Sequence, residues 1–313
     1  MSSPRHCPVC DAPPQQARVF LDEHVDPTRL TGLSFASRKT PEFMNHHLVQ
    51  CQRCDLVYAD TPPGQDELAR AYHASEFDSA VEADDAARAY LQAIQPVLAQ
   101  LSAQVLSQSS PNKAALEIGA GTGVFLEHLA EAGFTQVCGV EPSPAAIAAA
   151  PVARQAWLRE AIFRAEDFEP ASFDLVCCFM TMEHVRDPGE VARAVQQLLK
   201  PGGAFVVVVH DWRAPLNRLL GKRSPIIDIE HMQLFSPASI ERLFTEAGLV
   251  QVRSHSFANR YALRYWARLL PLPGGLRTAF IRALDALGLG PLKLRFNVGN
   301  RLCVGWRPLP GKP

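Results

Sequence analysis

The amino-acid sequence predicts an α/β fold preceded by a small cysteine-bearing module and followed by a helical C-terminal extension. Three observations predict it. Paired Cys-x-x-Cys steps stand at Cys7-Pro-Val-Cys10 and Cys51-Gln-Arg-Cys54. Two strand–turn–helix units follow one another from Ala114, the first with a glycine-rich turn. Beyond residue 260, arginines and aromatic residues recur at helical spacing. The chain has 313 residues, 47% hydrophobic and 20% charged, which suffices for a well-buried core and excludes wholesale disorder. Uncharged apolar runs such as Gly203 to Val209 fall far short of a membrane span, and Met1 to Cys7 lacks the apolar stretch of a secretory signal. These features predict a soluble, cytoplasmic protein.

The cysteines come first. Eight in a chain without a signal peptide argue against a disulfide scaffold. Each Cys-x-x-Cys can form a tight knuckle that aims two thiolates at one ion, and two knuckles complete the four-sulfur shell of structural zinc. Cys7, Cys10, Cys51 and Cys54 are therefore the expected Zn²⁺ ligands, with His6, His46 and His47 as possible substitutes for one of them. Thiol redox chemistry needs a single such pair after a strand and opening a helix, whereas both pairs here sit among turn-forming residues. The alternating segments Ala17 to Leu21 and His47 to Gln50 predict a small hairpin sheet between the knuckles. Cys138, Cys177, Cys178 and Cys303 lie in apolar, strand-like runs and read as core thiols.

Charge is unevenly distributed under a formal net of −1. Residues 1–60 carry 6 Lys/Arg against 7 Asp/Glu, residues 61–210 carry 9 against 19, and residues 211–313 carry 16 against 6. The basic C-terminal third points to an anionic partner or substrate, or to pairing with the acidic middle. The acidic balance of the cysteine module counts against nucleic acid as its partner.

Helical spacing over Asp66 to Tyr72 and Ala86 to Leu106 precedes a loop at Ser107 to Asn112. Then Ala114-Ala-Leu-Glu-Ile-Gly-Ala-Gly-Thr-Gly-Val reads as a buried strand, a turn and a helix start. Gly119, Gly121 and Gly123 permit the tight turn and a close ligand approach. A second strand, Gln136-Val-Cys-Gly-Val-Glu141, ends in a carboxylate suited to the vicinal hydroxyls of a ribose. The dinucleotide fingerprint fails because Val124 stands where its third glycine belongs, and the phosphate loop fails because Arg223 follows Gly221-Lys222. A carboxylate at Glu117, beside the turn, repels a pyrophosphate and suits a ligand carrying an ammonium group. That combination favours S-adenosyl-L-methionine over NAD or ATP.

At these residues the chain resembles the class I S-adenosylmethionine-dependent methyltransferases. The resemblance covers about residues 111–260 and rests on ordered segments: Leu116-Glu-Ile-Gly-Ala-Gly-Thr-Gly123, Gly139-Val-Glu-Pro-Ser143, Ser172-Phe-Asp-Leu-Val176, Met182-Glu-His-Val-Arg-Asp-Pro188 and Leu199-Lys-Pro-Gly-Gly203. Glu230-His-Met-Gln-Leu-Phe-Ser236 is similar to a segment of members that also carry an N-terminal cysteine module. The resemblance implies a Rossmann-like seven-stranded sheet with an antiparallel last strand, Val206–Val209 as its fifth strand and Arg301–Trp306 as its edge. It implies that Glu117 lies near the methionine ammonium, that Gly119, Gly121 and Gly123 line the methionine and ribose, and that Glu141 takes the ribose hydroxyls. Pro142 or Ser143 would flank the adenine, Glu166 or Asp167 would accept from its amino group, and Phe168 would pack on the ring.

Methyl transfer from a sulfonium requires mainly alignment of the acceptor and removal of its proton. A base is expected at strand C-termini, where open α/β sheets bind ligands. His184 follows the fourth strand (Asp174 to Met180), His210 follows the fifth, and His231 can approach from the Glu230-His231 step. Each is a candidate base, and no catalytic metal is expected.

The chain thus divides into a zinc-binding module (1–60), a helical linker or lid (61–110), a cofactor-binding core (111–260) and a helical extension with the final edge strand (261–313). In the last part, Arg260 to Leu270 and Leu276 to Leu287 predict two amphipathic helices separated by a Pro/Gly break. They form a lid or dimer surface, recognise an anionic substrate through Arg260, Arg264 and Arg268, or touch a membrane surface peripherally. The expected acceptor is a small molecule, a sugar or a natural-product or surface-polysaccharide intermediate, anionic or carrier-linked, and the protein is a monomer or homodimer. The alternatives are an RNA methyltransferase with a zinc module and a non-catalytic protein that retains the fold.

Overall fold

The computed structural model describes residues 3–35, 41–77, 80–107, 112–270 and 272–311. Residues 108–111 of the expected loop, and Pro271 of the expected Pro/Gly break, lie outside the described residues. At the centre is one seven-stranded sheet: β1 (Ala114–Ile118), β2 (Gln136–Glu141), β3 (Leu158–Glu160), β4 (Phe173–Phe179), β5 (Leu199–His210), β6 (Val250–Ser256) and β7 (Asn300–Trp306). The order across the sheet is β3-β2-β1-β4-β5-β7-β6. Strands β1 to β5 pair in parallel, and β7 runs antiparallel to both β5 and β6.

The strand sequences explain this layering. β5 reads Ala204-Phe-Val-Val-Val-Val209 without a polar residue, as a strand covered on both faces must. Phe205, Val207 and Val209 enter one core cluster with Leu116, Ile118, Val176 and Cys178. Val206 and Val208 enter the other with Ala115, Leu175 and Cys177, under the long helix Ala80–Ser107. Residues two apart thus share a face, as the pleat requires. Cys177, Cys178 and Cys303 are fully buried core thiols, and Cys138 is half-buried.

The expected edge position of Arg301–Trp306 is corrected. β7 lies inside the sheet, paired with β5 on one side and β6 on the other, and Cys303 is buried on one face while Leu302, Val304 and Trp306 are buried on the other. The edge falls to β6, whose Val-Gln-Val-Arg-Ser-His-Ser alternation leaves one face polar and exposed. The expected helix from Arg260 is corrected as well. Asn259–Ala262 is a strand paired antiparallel with Lys293–Phe296, and the helix begins only at Leu263 and ends at Arg268. Arg260, Arg264 and Arg268 therefore do not form one helical row.

The N-terminal part forms a second, four-stranded antiparallel sheet. Ala17–Leu21 pairs with Leu48–Cys51, which pairs with Val57–Ala59. The fourth strand is Gln233–Leu234, contributed by the chain far downstream. The sheet therefore crosses the boundary expected at residue 60. The cysteine knuckles also pack into the core cluster on one face of the large sheet, and a Cβ at Gly189 would meet the Pro8 carbonyl at 2.6 Å. Among the described residues, no helix is long and apolar enough to cross a membrane.

Candidate functional site

A cavity of about 800 Å³ opens at the C-terminal ends of β1, β2, β4 and β5, within the roughly 300–1,000 Å³ range of small-molecule sites. One end is built by β1 and β2. Leaving β1, the chain turns through Gly119, Gly121 and Gly123 at φ of +75°, +54° and +67°, the region that side chains disfavour. At Gly119 the demand is doubled, since an added Cβ would lie 2.2 Å from Thr181 Oγ1. Gly121 has open space where its side chain would be, so its backbone faces the cavity unobstructed. The N–H groups of Gly119 and Ala120 both donate to the Val140 carbonyl, at 2.9 and 3.1 Å, and tie the turn to β2.

Glu141 ends β2 with both carboxylate oxygens engaged. Oε2 accepts the Gly121 N–H at 2.8 Å and Oε1 accepts the Ser143 N–H at 2.9 Å. Burial pushes its pKa up, while these two backbone donors pull it down. Each oxygen keeps a further lone pair. Glu117 is buried on the same cavity wall.

Opposite the turn stand the three histidines. Met180, just past β4, takes a left-handed backbone at φ +52° and turns the chain into the loop that carries Thr181 and His184 along the wall. His184 Nδ1 lies 3.0 Å from the Tyr72 hydroxyl and 3.2 Å from the Glu230 carbonyl. Its ring centre is 4.8 Å from that of His231, which is 5.6 Å from that of His210. His210 Nδ1 is 3.2 Å from Glu183 Oε1, the oxygen that also accepts the His210 backbone N–H at 2.6 Å.

His231 is the most constrained of the three. Its Nδ1 lies 2.9 Å from the Ile226 carbonyl, which can only accept, so Nδ1 carries the proton and Nε2 holds the lone pair. Burial first, then the neighbouring His184 and His210, push its pKa well below the ordinary histidine value, against the opposing pull of Glu183 and the Ile226 carbonyl. The ring is neutral at physiological pH. His184, Glu230 and His231 bring one donor atom each within 4.8 Å of one another. Tyr72 stays a protonated hydroxyl, since burial and the nearby Glu230, Glu141 and Glu183 drive its pKa far up.

Glu117, Gly119, Gly121, Glu141, Pro142, Ser143, Glu166 and all three histidines line this one cavity. Gly123 caps the following helix just behind it. Asp167 and Phe168 stand outside the wall, away from the position expected for a residue packing on the adenine ring. The Phe168 ring is taken up by Phe163 and Phe173, at 6.1 and 5.6 Å, and by the Arg159 guanidinium 4.9 Å from its centre. Phe163 lines the cavity instead. Sequence reasoning missed Tyr72, Thr181 and Phe163; Tyr72 is one aromatic in an ordinary amphipathic helix, Gln65–His73, and no motif marks it.

The four grouped cysteines come together away from this cavity. Their sulfurs lie within 4.8 Å of one another, with Cys7 to Cys54 at 3.5 Å and Cys10 to Cys51 at 3.6 Å. These separations are too long for disulfides, which need about 2.05 Å. They are close to the roughly 3.8 Å between sulfurs of a tetrahedral site with metal–sulfur bonds near 2.3 Å. All four are buried, and the donor set fits one structural ion.

Residues 86–254 match the family described as Methyltransferase domain. The ubiquinone biosynthesis O-methyltransferase of Thiobacillus denitrificans is 31% identical over 154 residues, covering 44% of this chain and 64% of that protein. The enzyme of the same name from Neisseria meningitidis is 29% identical over 151 residues, covering 44% and 63%. The chain therefore spans less than two thirds of the length of these two relatives. Its fold is also similar to a solved S-adenosylmethionine-dependent methyltransferase from Archaeoglobus fulgidus, at 16% identity and a TM-score of 0.44, over 68% of this chain and 93% of that one.

Proposed function

The chain belongs to the methyltransferase domain family, and we propose that it transfers the methyl group of S-adenosyl-L-methionine to a hydroxyl of a small-molecule acceptor. The carrying observation is that a carboxylate-and-glycine turn and a neutral, oriented histidine share one cavity. The cofactor supplies a methyl carbon already activated by its sulfonium. Glu117 receives the methionine ammonium, the Gly119–Gly123 backbone shapes its bed, and Glu141 accepts the ribose hydroxyls through the lone pairs left by Gly121 and Ser143. Glu166 and Phe163 serve the adenine end.

At the other end His231 acts as the base. With the cofactor bound, its sulfonium would release the methyl group to the acceptor oxygen and keep the carbon–sulfur electron pair, so that the chain has only to align the acceptor and take its proton. The hydroxyl proton passes to His231 Nε2. His184, held by Tyr72 and the Glu230 carbonyl, and His210, whose backbone N–H donates to Glu183, position the acceptor beside it. Oxygen as the accepting atom is supported by the printed names of the relatives. The expected sugar or polysaccharide acceptor draws no support from those names. The cysteine cluster takes a structural zinc ion, a role supported by its four-sulfur donor set.

The test is calorimetric titration of metal-analysed protein with S-adenosyl-L-methionine and S-adenosylhomocysteine, followed by methyl transfer to hydroxylated phenols and nucleotide sugars. Micromolar binding that Glu141→Ala abolishes, with transfer to a hydroxyl that His231→Gln slows by about 10²–10⁴, is the expected result. A folded, metal-loaded protein that binds neither cofactor form overturns the reading.

A further inference from the structure

The helix Gly274–Ala286 is amphipathic in the reverse of the usual sense. It turns Leu284 inward, with Ile281 and Arg277 half-buried beside it, yet leaves Leu276 62%, Phe280 41% and Leu287 72% exposed. These three and Ala283 follow one another at steps of four, three and four residues. At 100° per residue that spacing confines them to about 60° of arc, a continuous apolar stripe along an outward face. Leu289 and Leu292, both exposed, carry the apolar surface past the end of the helix.

The charge around the stripe points to its occupant. Residues 260–296 hold seven Lys/Arg against one Asp. By the same helical geometry, measured from Leu276, half-buried Arg277 lies about 100° to one side, over the buried Leu284, and exposed Arg282 about 120° to the other, with Asp285 on the far side. A second copy of this chain is a poor fit. A twofold pairing brings only arginines, Arg277 and Arg282, to the flanks of the contact and no carboxylate to pair with them, since Asp285 lies on the far side. An anionic lipid surface takes both features at once: apolar side chains enter the acyl boundary while the flanking guanidinium groups snorkel to the headgroups.

We propose that the exposed Leu276–Phe280–Leu287 face, with its arginine flanks, docks the protein peripherally on an anionic lipid surface. The preceding helix, Leu263–Arg268, packs against this one, and Tyr265 and Leu269 on its cavity side belong to the wall described above. Docking holds that wall beside the lipid. The inference is independent of the reaction performed in the cavity.

The test is flotation of the full chain with vesicles of phosphatidylcholine plus phosphatidylglycerol, compared with phosphatidylcholine alone. The expected result is binding to the anionic vesicles that weakens with salt and falls about tenfold or more in Leu276→Glu/Phe280→Glu/Leu287→Glu. Arg282→Glu, combined with Arg295→Glu at an exposed position of the strand Lys293–Phe296 that follows the helix, weakens it through charge alone, which guards against misfolding of the triple variant. Leu219→Glu, an exposed leucine on the separate helix Pro215–Leu220, leaves binding unchanged. No binding to anionic vesicles overturns the proposal, as does binding that the triple variant retains. A dimer by light scattering that the triple variant dissolves also overturns it, in favour of a second copy.

Discussion

Tyr58 pairs with Gln233 across an antiparallel ladder, so the strand that follows the second cysteine knuckle holds the segment bearing Glu230 and His231. Ala59 extends the pairing by donating its N–H to the Met232 carbonyl at 2.8 Å, and Met232 in turn donates to the Glu183 carbonyl at 2.8 Å. Gln233 completes the tie, its amide donating to the Met182 carbonyl and, at 2.7 Å, to that of Val185. The cysteine module is thereby part of the wall that sets the histidines.

If the cysteine cluster holds the zinc ion proposed for it, its removal is expected to damage turnover more than cofactor binding. The glycine turn takes its support from β2, through the Val140 carbonyl, and not from the module. A chelator, or Cys54→Ser, should lower kcat by about tenfold or more while shifting the S-adenosyl-L-methionine Kd by only about threefold. Metal analysis by mass spectrometry should give one zinc per chain before treatment. Parallel loss of binding and turnover would mean that the module stabilises the whole domain rather than the histidine segment.

Gly119→Ala is expected to abolish detectable cofactor binding and to lower Tm. The new methyl group meets Thr181 Oγ1 at 2.2 Å, and the φ of +75° adds strain of about 1–3 kcal/mol. Adding Thr181→Gly removes the collision but not the backbone strain, so the double variant should recover only part of the lost stability. Thermal denaturation of both variants checks this. Full recovery would show that the side-chain contact alone demands glycine.

Much of this was legible in the sequence where local chemistry is periodic or punctuated. The glycine turn, the carboxylate ending β2, the paired cysteines and the apolar strands all announce themselves within a few residues. What escaped depends on partners far along the chain. Tyr72 meets His184 across 112 residues, and nothing near Tyr72 marks that contact. Phe168 follows an acidic turn as expected, but its ring is captured by Phe163, Phe173 and Arg159. Arg260 sits in a segment with helical spacing, yet pairing with Lys293–Phe296 holds it in a strand, a case of tertiary contact overriding local pattern.

Glu141→Gln tests the carboxylate that links the two βα units. An amide offers one oxygen to two backbone donors, so one of the Gly121 and Ser143 bonds is lost and cofactor affinity should fall about tenfold or more. The folded chain holds the Glu141 proton more tightly than the unfolded chain, since burial raises the pKa above its ordinary 4.5. That contribution to stability is present at low pH and is lost as pH rises through the folded value. Denaturant unfolding of native and Glu141→Gln proteins should accordingly show the variant gaining relative stability as pH rises above 4.5. A constant difference across pH would show that the group titrates alike in both states.

The pH profile of turnover tests His231 as the base. Its pKa is depressed in the fold, so in the window below 6.5 the unfolded chain binds a proton that the folded chain refuses. Stability from this group is therefore present above 6.5 and is lost as pH falls towards the folded value, and the unprotonated ring survives into the same window. Because Nδ1 is committed to the Ile226 carbonyl, the nitrogen that gains a proton during turnover is Nε2. The log of kcat/KM should stay level through pH 6.5 and fall only well below it. His231→Gln should lower kcat by about 10²–10⁴ with little change in cofactor Kd, as expected for loss of a general base. An acid limb centred near 6.5, or a His231→Gln variant that keeps its turnover, would move the proton to another group.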